Sequence, residues 1–382
     1  MNFSKVKAYL DRLPELGIPF CDVAVTYHGK PVLRHAAGFT DPAGTRRPAE
    51  SDIHYVFSIS KITTCVVAMR LVEAGILDLN APIRHYLPAF ANLQVRLPDG
   101  RLQPVQTEPT ILHLFTMTAG LNYDLTAKHL LQAAEQPDAG TVEIASALAS
   151  APLDFEPGTR FAYSLCHDVL AAVVEVATGE RFADHVKRVV FDPLGMKDTG
   201  YHVPDKKRAR IPSMYDHING PMLAREVPAT NQKFIFNDNY DSGGAGLYST
   251  VNDQIRLMTV LANGGKTEEG YSLLNPETIY SLGINRLSPQ AYATFEPTRL
   301  YGYGWGLCCR THVNLLASTG RSSVGEFGWD GAAGAYALVD PTKQVAIYFG
   351  TQLTHGHYLY RMVHPTLRDL VFEALEDADL RG

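Results

Sequence analysis

Cysteine is scarce in this sequence, and its placement excludes several classes of protein. The chain has five cysteines in 382 residues: Cys21, Cys65, Cys166, Cys308 and Cys309. An odd number with no repeated spacing does not fit a disulfide framework. No C-x-x-C motif occurs, so zinc-ribbon and dithiol redox proteins would lack their usual ligands. We therefore interpret the cysteines as reduced thiols of the core, including the adjacent pair Cys308 and Cys309.

Long hydrophobic runs and basic clusters are also missing. No stretch of 18 apolar residues occurs, so we expect no membrane-spanning helix and no membrane partner. Asp11 and Arg12 interrupt the apolar residues near the N-terminus, where a secretory signal would need an unbroken run. The formal net charge is −6, and Lys and Arg are dispersed, which argues against a nucleic-acid partner. These features predict a cytoplasmic protein and leave its oligomeric state open.

Two more absences concern chemistry. His355 and His357 form an H-x-H motif, but no third ligand stands near them, so no metal site is predicted. The sequence also lacks G-x-S-x-G, the nucleophile elbow of α/β-hydrolase esterases. Any serine esterase activity must therefore use a different nucleophile.

The remaining composition is that of a globular enzyme-sized chain with strands at both ends. Hydrophobic residues make up 46% and charged residues 19%, an ordinary balance for a folded core. Alternating apolar residues predict hairpins over 21–37 and 336–349. Helical spacing predicts helices over 3–16, 58–75 and 362–378.

The middle of the chain reads differently. Helical patterns between 111 and 190 alternate with Pro- and Gly-rich turns, and the polar segment 204–230 reads as a long connection. We therefore predict an α/β (α+β) fold in which both chain ends form one antiparallel sheet flanked by helices. Residues 1–79 and 231–382 would make this discontinuous domain. Residues 80–230 would form an inserted all-helical domain, with a cleft between the two.

The motif with the clearest chemistry is S-x-x-K at Ser58 and Lys61. Residues i and i+3 share a helix face, so the lysine amine can lie beside the serine hydroxyl. A hydroxyl is a poor nucleophile at neutral pH and needs a nearby base. The free N–H groups at the start of the helix would also favour developing negative charge.

The same spacing has an ordinary structural explanation. A serine that precedes a helix is often its N-cap, and S-x-x-K also occurs at Ser4 and Lys7, where we interpret Ser4 as a cap near the chain end. From the spacing alone, nucleophile and cap are equally good interpretations of Ser58.

Two further elements favour chemistry at Ser58. Tyr163 follows the turn Pro157-Gly158-Thr159-Arg160 and precedes an apolar helix; beside an ammonium a tyrosine becomes a usable acid or base. Gly328-Trp329-Asp330-Gly331-Ala332 begins the C-terminal hairpin. Glycines there would let a substrate approach the backbone of an edge strand, whose N–H groups can bind an oxyanion. Taken singly, each has a packing explanation: Tyr163 as a core tyrosine, and the glycine-rich segment as a tight turn around a packed tryptophan.

Together, and in this order, these elements resemble the serine β-lactamase-like superfamily, which includes class C β-lactamases, DD-peptidases and family VIII carboxylesterases. The resemblance extends over nearly the whole chain. The segments that carry it are 56–90, LHLFTMTAGL (112–121), PGTRFAYS (157–164), FDPLGMKDTGY (191–201), SGGAGLYSTVNDQIRLMTVLANGG (242–265) and YGYGWGL (301–307).

The resemblance implies a β-lactamase/transpeptidase-like fold and a set of roles. Ser58 would be the acylated nucleophile, and Lys61 and Tyr163 together would accept its proton and return it to the leaving group. The backbone N–H groups of Ser58 and Ala332 would form the oxyanion hole. Water would then hydrolyse the acyl-enzyme, with no metal or organic cofactor.

Two departures from class C β-lactamases bear on the substrate. Leu165 stands where those enzymes have the Asn of Tyr-x-Asn, and Trp329-Asp330-Gly331 stands where they have Lys-Thr-Gly. A polar ligand for the lactam side chain and a cation for its carboxylate are thus replaced. Both changes fit the carboxylesterase branch, and we expect Asp330 to disfavour acidic substrates.

We therefore predict an ester hydrolase that acts on small to medium neutral acyl esters and has weak β-lactamase activity. A β-lactamase and an acyltransferase are alternatives with the same chemistry. A catalytically silent scaffold or ligand-binding protein is the alternative of a different class. Tyr240 is the best candidate among aromatic residues for lining the pocket, although core packing explains each of them equally well: Phe234, Phe236, Tyr301, Tyr303 and Trp305.

Overall fold

The computed structural model describes residues 1–217, 224–227, 236–295 and 301–379. Its helices are α1 (Ser4–Asp11), α2 (Ser60–Glu73), α3 (Ile111–Phe115), α4 (Lys128–Ala134), α5 (Thr141–Ala147), α6 (Cys166–Thr178), α7 (Phe182–Val186), α8 (Val251–Ala262), α9 (Pro276–Leu282), α10 (Pro289–Phe295), α11 (Leu315–Ser318) and α12 (His364–Asp379).

The strands are short except at the two predicted hairpins. They are β1 (Phe20–Tyr27), β2 (Lys30–Gly38), β3 (His54–Tyr55), β4 (Gln94–Arg96), β5 (Leu102–Pro104), β6 (Met214–His217), β7 (Ala224–Val227), β8 (Tyr248–Ser249), β9 (Tyr303–Gly306), β10 (Cys309–His312), β11 (Phe327–Asp330), β12 (Tyr336–Asp340), β13 (Val345–Gly350) and β14 (Leu353–Thr354).

The main sheet joins the two ends of the chain, as predicted. Within the described residues it has seven strands in the order β2-β1-β13-β12-β11-β10-β9. Its neighbours are antiparallel, with Val23 opposite Phe349 at the junction of the N- and C-terminal strands. Mixed helices and an antiparallel sheet confirm the predicted fold class.

Alternation along the central strand divides the interior into two cores. On β13, Val345, Ile347 and Phe349 pack with the apolar faces of α1 and α12. Ala346 and Tyr348 point the other way and join the core that contains α2, α6 and α8. Because successive side chains of a strand point to opposite faces, one sheet separates the terminal helices from the helices that carry the site.

Helix α6 lies at the centre of the helical region. Nine consecutive residues from Cys166 to Val174 are buried, and the helix contacts α2, α3, α5 and α7. A helix that is buried on all sides is surrounded by other elements. This places the residues around Tyr163, just before α6, against α2.

Two sequence-based expectations need correction. The segment 204–230, interpreted as a connection, contains β6 and β7, and β6 pairs in parallel with β14 through Leu353 and Tyr215. The strand with Trp329 was expected at a sheet edge, yet β11 lies between β12 and β10. Only its end lacks a partner on β10, whose pairing stops at Gly328. The division into a terminal domain and an inserted domain stays a proposal.

Candidate active site

Ser58 lies where the chain passes from β3 into α2. A single 3₁₀ turn, Phe57–Ile59, makes the passage, and Val56 N–H donates to the Leu247 carbonyl at 3.1 Å. Phe57 has a φ of +46°, a left-handed conformation that costs a non-glycine residue about 1–3 kcal/mol. The flanking strands hold this strained turn, which leaves Ser58 buried at 7% exposure.

Lys61 lies directly beside this serine. Its Nζ is 3.3 Å from Ser58 Oγ and 2.7 Å from the Gly244 carbonyl, to which it donates. The lysine side chain has no exposed surface. A buried ammonium needs such partners, so these two contacts hold the lysine amine beside the serine.

The helix-cap explanation of Ser58 does not hold. The N-cap position of α2 is Ile59, and no side chain caps that helix. The second S-x-x-K differs in both position and burial. Ser4 is the first residue of α1, and Phe3 is the N-cap of that helix. Ser4 and Lys7 are exposed. The interpretation of Ser4 as a cap was therefore wrong by one residue.

Tyr163 completes the predicted trio. Lys61 Nζ lies 4.7 Å from the centre of its ring, and Trp329 Nε1 donates to its hydroxyl oxygen at 2.9 Å. The ring of Tyr123 stacks on the other side, with centroids 5.4 Å apart and planes at 12°. Since an indole N–H can only donate, the Tyr163 oxygen is the acceptor of this hydrogen bond.

Asp168 was missed by the sequence analysis, although it lies one turn into α6 after Tyr163. Its Oδ1 accepts from the Tyr240 hydroxyl at 2.8 Å and the Ser242 hydroxyl at 2.6 Å. A Cβ on Gly244 would lie 2.4 Å from Asp168 Oδ2 and 3.3 Å from Lys61 Nζ. Only glycine lets the chain pass between these two groups, which explains part of the SGGAG segment.

The protonation of Lys61 follows from these neighbours. Burial by itself lowers the pKa of the amine, but Tyr123, Tyr163 and Asp168 act in the opposite direction and outweigh it. The pKa of Lys61 consequently lies above its ordinary value. The resting group is an ammonium that stabilises an anion next to it.

The turn after β11 lies close to the segment that contains Ser58. A Cβ on Gly331 would lie 2.5 Å from the Val56 carbonyl, so the turn packs against the segment that leads to Ser58. Within the described residues, neither the Ser58 N–H nor the Ala332 N–H donates a hydrogen bond. Two free N–H groups near a nucleophile are the arrangement that binds an oxyanion.

Side chains from outside the motif hold this turn. Asp330 accepts from Arg310 Nη1 at 3.2 Å, and one of its oxygens is 2.9 Å from His364 Nδ1. The Tyr360 hydroxyl lies 2.9 Å from the Gly331 carbonyl and 3.1 Å from the Ala332 carbonyl. Arg310, which also pairs with Glu326, and His364 thus hold Asp330 in the turn. Its effect on acidic substrates stays a prediction.

Comparison with known proteins agrees with this geometry. The family model described as Beta-lactamase matches residues 6–367. The chain belongs to the β-lactamase family. Esterase EstB of Burkholderia gladioli is 32% identical over 354 residues, which cover 87% of this chain and 85% of EstB. Acyltransferase calJ of Penicillium decumbens is 25% identical over 361 residues, 87% of this chain and 83% of calJ.

A solved structure gives the same fold. EstCE1, described as a hydrolase with promiscuous acyltransferase activity, superposes with a TM-score of 0.79 at 24% identity, covering 97% of this chain and 98% of EstCE1. Like its β-lactamase-family relatives, this chain is a serine hydrolase. In the described part of the chain, no helix has the length and hydropathy to cross a bilayer.

Within this family framework, the other predicted site residues divide into three groups. Trp329, at 5% exposure, contacts Tyr163 directly. Leu165 is buried in the core, and Tyr240 contacts Asp168, so both support the site from behind. Tyr303 hydrogen-bonds Glu326 and Tyr301 is 70% exposed, away from the trio.

The remaining aromatic candidates pack against other aromatic residues near the site. Trp305 is 6.1 Å from the ring of Tyr163 and 4.7 Å from that of Trp329. Phe236 packs edge-on against Tyr240 at 5.1 Å. Phe234 lies outside the described residues.

Potential metal ligands come together at a place other than the H-x-H motif of His355 and His357. His355 is bound by Asp216 at 2.6 Å. In the described residues, one group of donors does come together: Cys65, His167 and Cys309. Sequence spacing could not reveal it, because the three lie in different parts of the chain.

Proposed function

We propose that this serine hydrolase is a carboxylesterase that forms an acyl-enzyme at Ser58 and acts on small to medium neutral acyl esters. One observation carries the proposal: Lys61 Nζ contacts Ser58 Oγ at 3.3 Å, and Ser58 does not cap the helix that follows it. Packing gives no reason to bury a lysine completely beside a serine.

The proposed reaction begins with proton transfer from Ser58. The phenolate form of Tyr163, whose oxygen accepts from Trp329, takes the proton and becomes the neutral hydroxyl, while the Lys61 ammonium stabilises the negative charge that develops. Ser58 Oγ bonds to the acyl carbon, and the carbonyl oxygen becomes an oxyanion held by the N–H groups of Ser58 and Ala332. The C–O bond to the alcohol breaks, and the alcohol leaves with the proton from Tyr163.

Deacylation repeats these steps with water. Tyr163 accepts a proton from the water, which attacks the acyl carbon, and returns it to Ser58 as the acid leaves. The same residues therefore act in both halves of the cycle, because acylation and deacylation are the same acyl transfer with a different oxygen nucleophile.

The surroundings of Tyr163 support neutral substrates. Trp329 stands where a lysine would attract a carboxylate, and its indole N–H is already used by Tyr163. Arg310, which contacts this strand end, is buried and paired with both Asp330 and Glu326. The half-buried rings of Tyr123 and Tyr163 offer an apolar surface for an acyl chain.

Acyl transfer is the second candidate. EstB and calJ, similar over comparable shares of the chain, are named an esterase and an acyltransferase. The two activities differ only in whether water or another alcohol attacks the acyl-enzyme. Weak β-lactamase activity would use the same intermediate.

The test is hydrolysis of p-nitrophenyl butyrate by the purified protein, with Ser58→Ala beside it. Ser4→Ala, in the second S-x-x-K, is the matched control. We expect turnover in the wild type and in Ser4→Ala and none in Ser58→Ala, with a fluorophosphonate adduct located on Ser58 by mass spectrometry. Turnover that persists in Ser58→Ala would overturn the assignment.

Adding a primary alcohol separates the two candidates. An esterase should release mainly butyric acid, whereas an acyltransferase should release mainly the new ester. Nitrocefin measured in parallel reports the β-lactamase activity, which we expect to be much the weaker. A wild type that neither hydrolyses esters nor labels at Ser58 would contradict the whole proposal.

A further inference from the structure

A second group of chemically active side chains lies next to the site, and neither the proposed esterase activity nor the family chemistry uses it. We call it the thiol cluster: Cys65, His167, Cys308 and Cys309. Donor atoms of Cys65, His167 and Cys309 all lie within 4.8 Å of one another. Every member has zero exposure.

Three distant segments supply these residues. Cys65 is one turn beyond Lys61 on α2, His167 immediately precedes Asp168 on α6, and Cys308 and Cys309 lie at the turn between β9 and β10. Cys65 Sγ is 3.7 Å from His167 Nε2. Cys65 also interacts through its thiol with both Cys308 and Cys309. Cys308 therefore adjoins the group through Cys65, although it is not one of the three donors that all lie within 4.8 Å of one another.

The backbone of Cys309 supports a role for its thiol. Its φ is +69°, and it pairs with Gly306 directly after the two-residue turn of the hairpin. That position in a hairpin favours glycine, and a side chain there costs about 1 kcal/mol or more. Such an outlier calls for a functional explanation; here the left-handed turn accompanies a thiol directed at Cys65.

The hydrogen bonding of the cluster is poor. His167 Nε2 is 3.3 Å from the Phe115 carbonyl, whose other contact is the Trp305 indole N–H at 2.9 Å. His167 Nδ1 has no partner among the described residues. Thiols are weak donors and acceptors, so the group lacks the strong partners that usually offset the burial of polar atoms.

We propose that Cys65, His167, Cys308 and Cys309 form a buried site for a thiophilic divalent ion, with Zn²⁺ as the ion that three thiolates and one imidazole favour. Such a donor set is typical of structural zinc sites. The three thiols each release a proton on binding and form three S–Zn bonds. Zn²⁺ with three thiolates leaves one negative charge, one helical turn from the Lys61 ammonium, which complements it.

Burial determines how the ion would enter. With no exposed donor, the folded protein offers no direct path, and a metal site usually forms together with the fold. The β9–β10 hairpin, whose outer strand is the last of the sheet, would close over the ion. Metal should therefore be acquired during folding and exchange slowly afterwards.

The experiment is to unfold the full chain in denaturant with EDTA and reductant, and to refold it with either ZnSO₄ or EDTA. After desalting, the number of metal ions per chain is measured by inductively coupled plasma mass spectrometry. We expect about one zinc per chain, and cobalt refolding should give the near-ultraviolet thiolate-to-cobalt absorption of a Cys₃His site. Zinc should also raise the midpoint of thermal unfolding, since an ion bound only by the folded state stabilises it.

Two variants make the result decisive. Cys309→Gly removes a ligand at a position whose φ of +69° suits glycine, so it should fold at least as readily and yet lose the zinc and the cobalt absorption. Cys21→Ser replaces another buried cysteine, which contacts Leu10 far from the cluster, and should keep both.

Three results would overturn the proposal. One is a wild type that refolds without retaining zinc. Another is Cys309→Gly binding zinc as the wild type does. The third is a disulfide within the cluster in place of the metal. All are read without substrate, so they do not depend on the proposed esterase activity.

Discussion

Two groups of buried polar side chains lie one turn apart between α2 and α6, and they are built on different principles. Around Ser58, Lys61 donates at 2.7 Å to a carbonyl and Asp168 accepts at 2.6 and 2.8 Å. In the thiol cluster, the contact between Cys65 and His167 is 3.7 Å long. Strong donors and acceptors stabilise charge within the protein itself, whereas soft, weakly bonding donors leave the thiol cluster without such stabilisation.

The comparison predicts that the first group carries the chemistry. Lys61→Ala should lower kcat/KM for p-nitrophenyl butyrate by about 10²–10⁴-fold, because the charge that supports proton transfer is lost. Lys7→Ala, in the exposed S-x-x-K, should match the wild type. Steady-state kinetics of both variants decides the point, and a Lys61→Ala enzyme of near-normal activity would refute the assigned role.

Asp168→Asn tests whether the carboxylate near Lys61, with its two hydrogen bonds, is needed for stability and activity. An amide would present an NH₂ to groups that now donate to the carboxylate, and we expect a loss of about 1–3 kcal/mol in the free energy of unfolding. kcat should fall by a smaller factor than in Lys61→Ala. Urea denaturation measures the first effect; the exposed Asp138→Asn is the control and should leave stability unchanged.

Tyr360→Phe tests whether the turn that carries the proposed oxyanion-binding Ala332 N–H needs the hydroxyl that holds it. Without its hydroxyl, the carbonyls of Gly331 and Ala332 lose a hydrogen-bond donor. We expect kcat to fall by roughly tenfold with KM little changed, a loss that corresponds to about one hydrogen bond. Tyr348→Phe is the control, because its buried hydroxyl has no partner among the described residues. A change in KM alone would argue against positioning of the oxyanion turn.

The pH profile should show the smallest effect. Because the pKa of Lys61 is raised above its ordinary value of 10.5, the ammonium persists as pH increases and is lost only beyond that value. The log of kcat/KM should therefore show no downward lysine limb up to about pH 10. A limb centred in the neutral range that disappears in Lys61→Ala would mean that the resting lysine is a neutral base.

Sequence patterns predicted the parts of the fold that depend on local periodicity. The hairpins over β1–β2 and β12–β13 and the helix after Ser58 were confirmed, because alternation and helical spacing each require one backbone geometry. The segment with β6 and β7 was missed. Its strands are four residues long, and β6 pairs with β14, a strand more than a hundred residues away, which no local pattern contains.

The site shows the same limit. Ser58 and Lys61 lie three residues apart, and Tyr163 came from recognisable neighbouring segments. Asp168 carried no signal, although it is five residues from Tyr163, because a single acidic residue in an apolar helix has no distinctive spacing. Tyr360 and His364 were missed because only the packing of the C-terminal helix brings them to the turn at Gly331.

The sequence by itself determined the nucleophile motif, the family and the order of the elements, since each depends on residues close together in the chain. Only the tertiary structure decided that Asp330 pairs with Arg310, that Trp329 donates to Tyr163, and that Cys65, His167 and Cys309 meet. Those relations join residues of different elements. Their distances follow from how the helices and sheet pack, and spacing along a chain does not encode them.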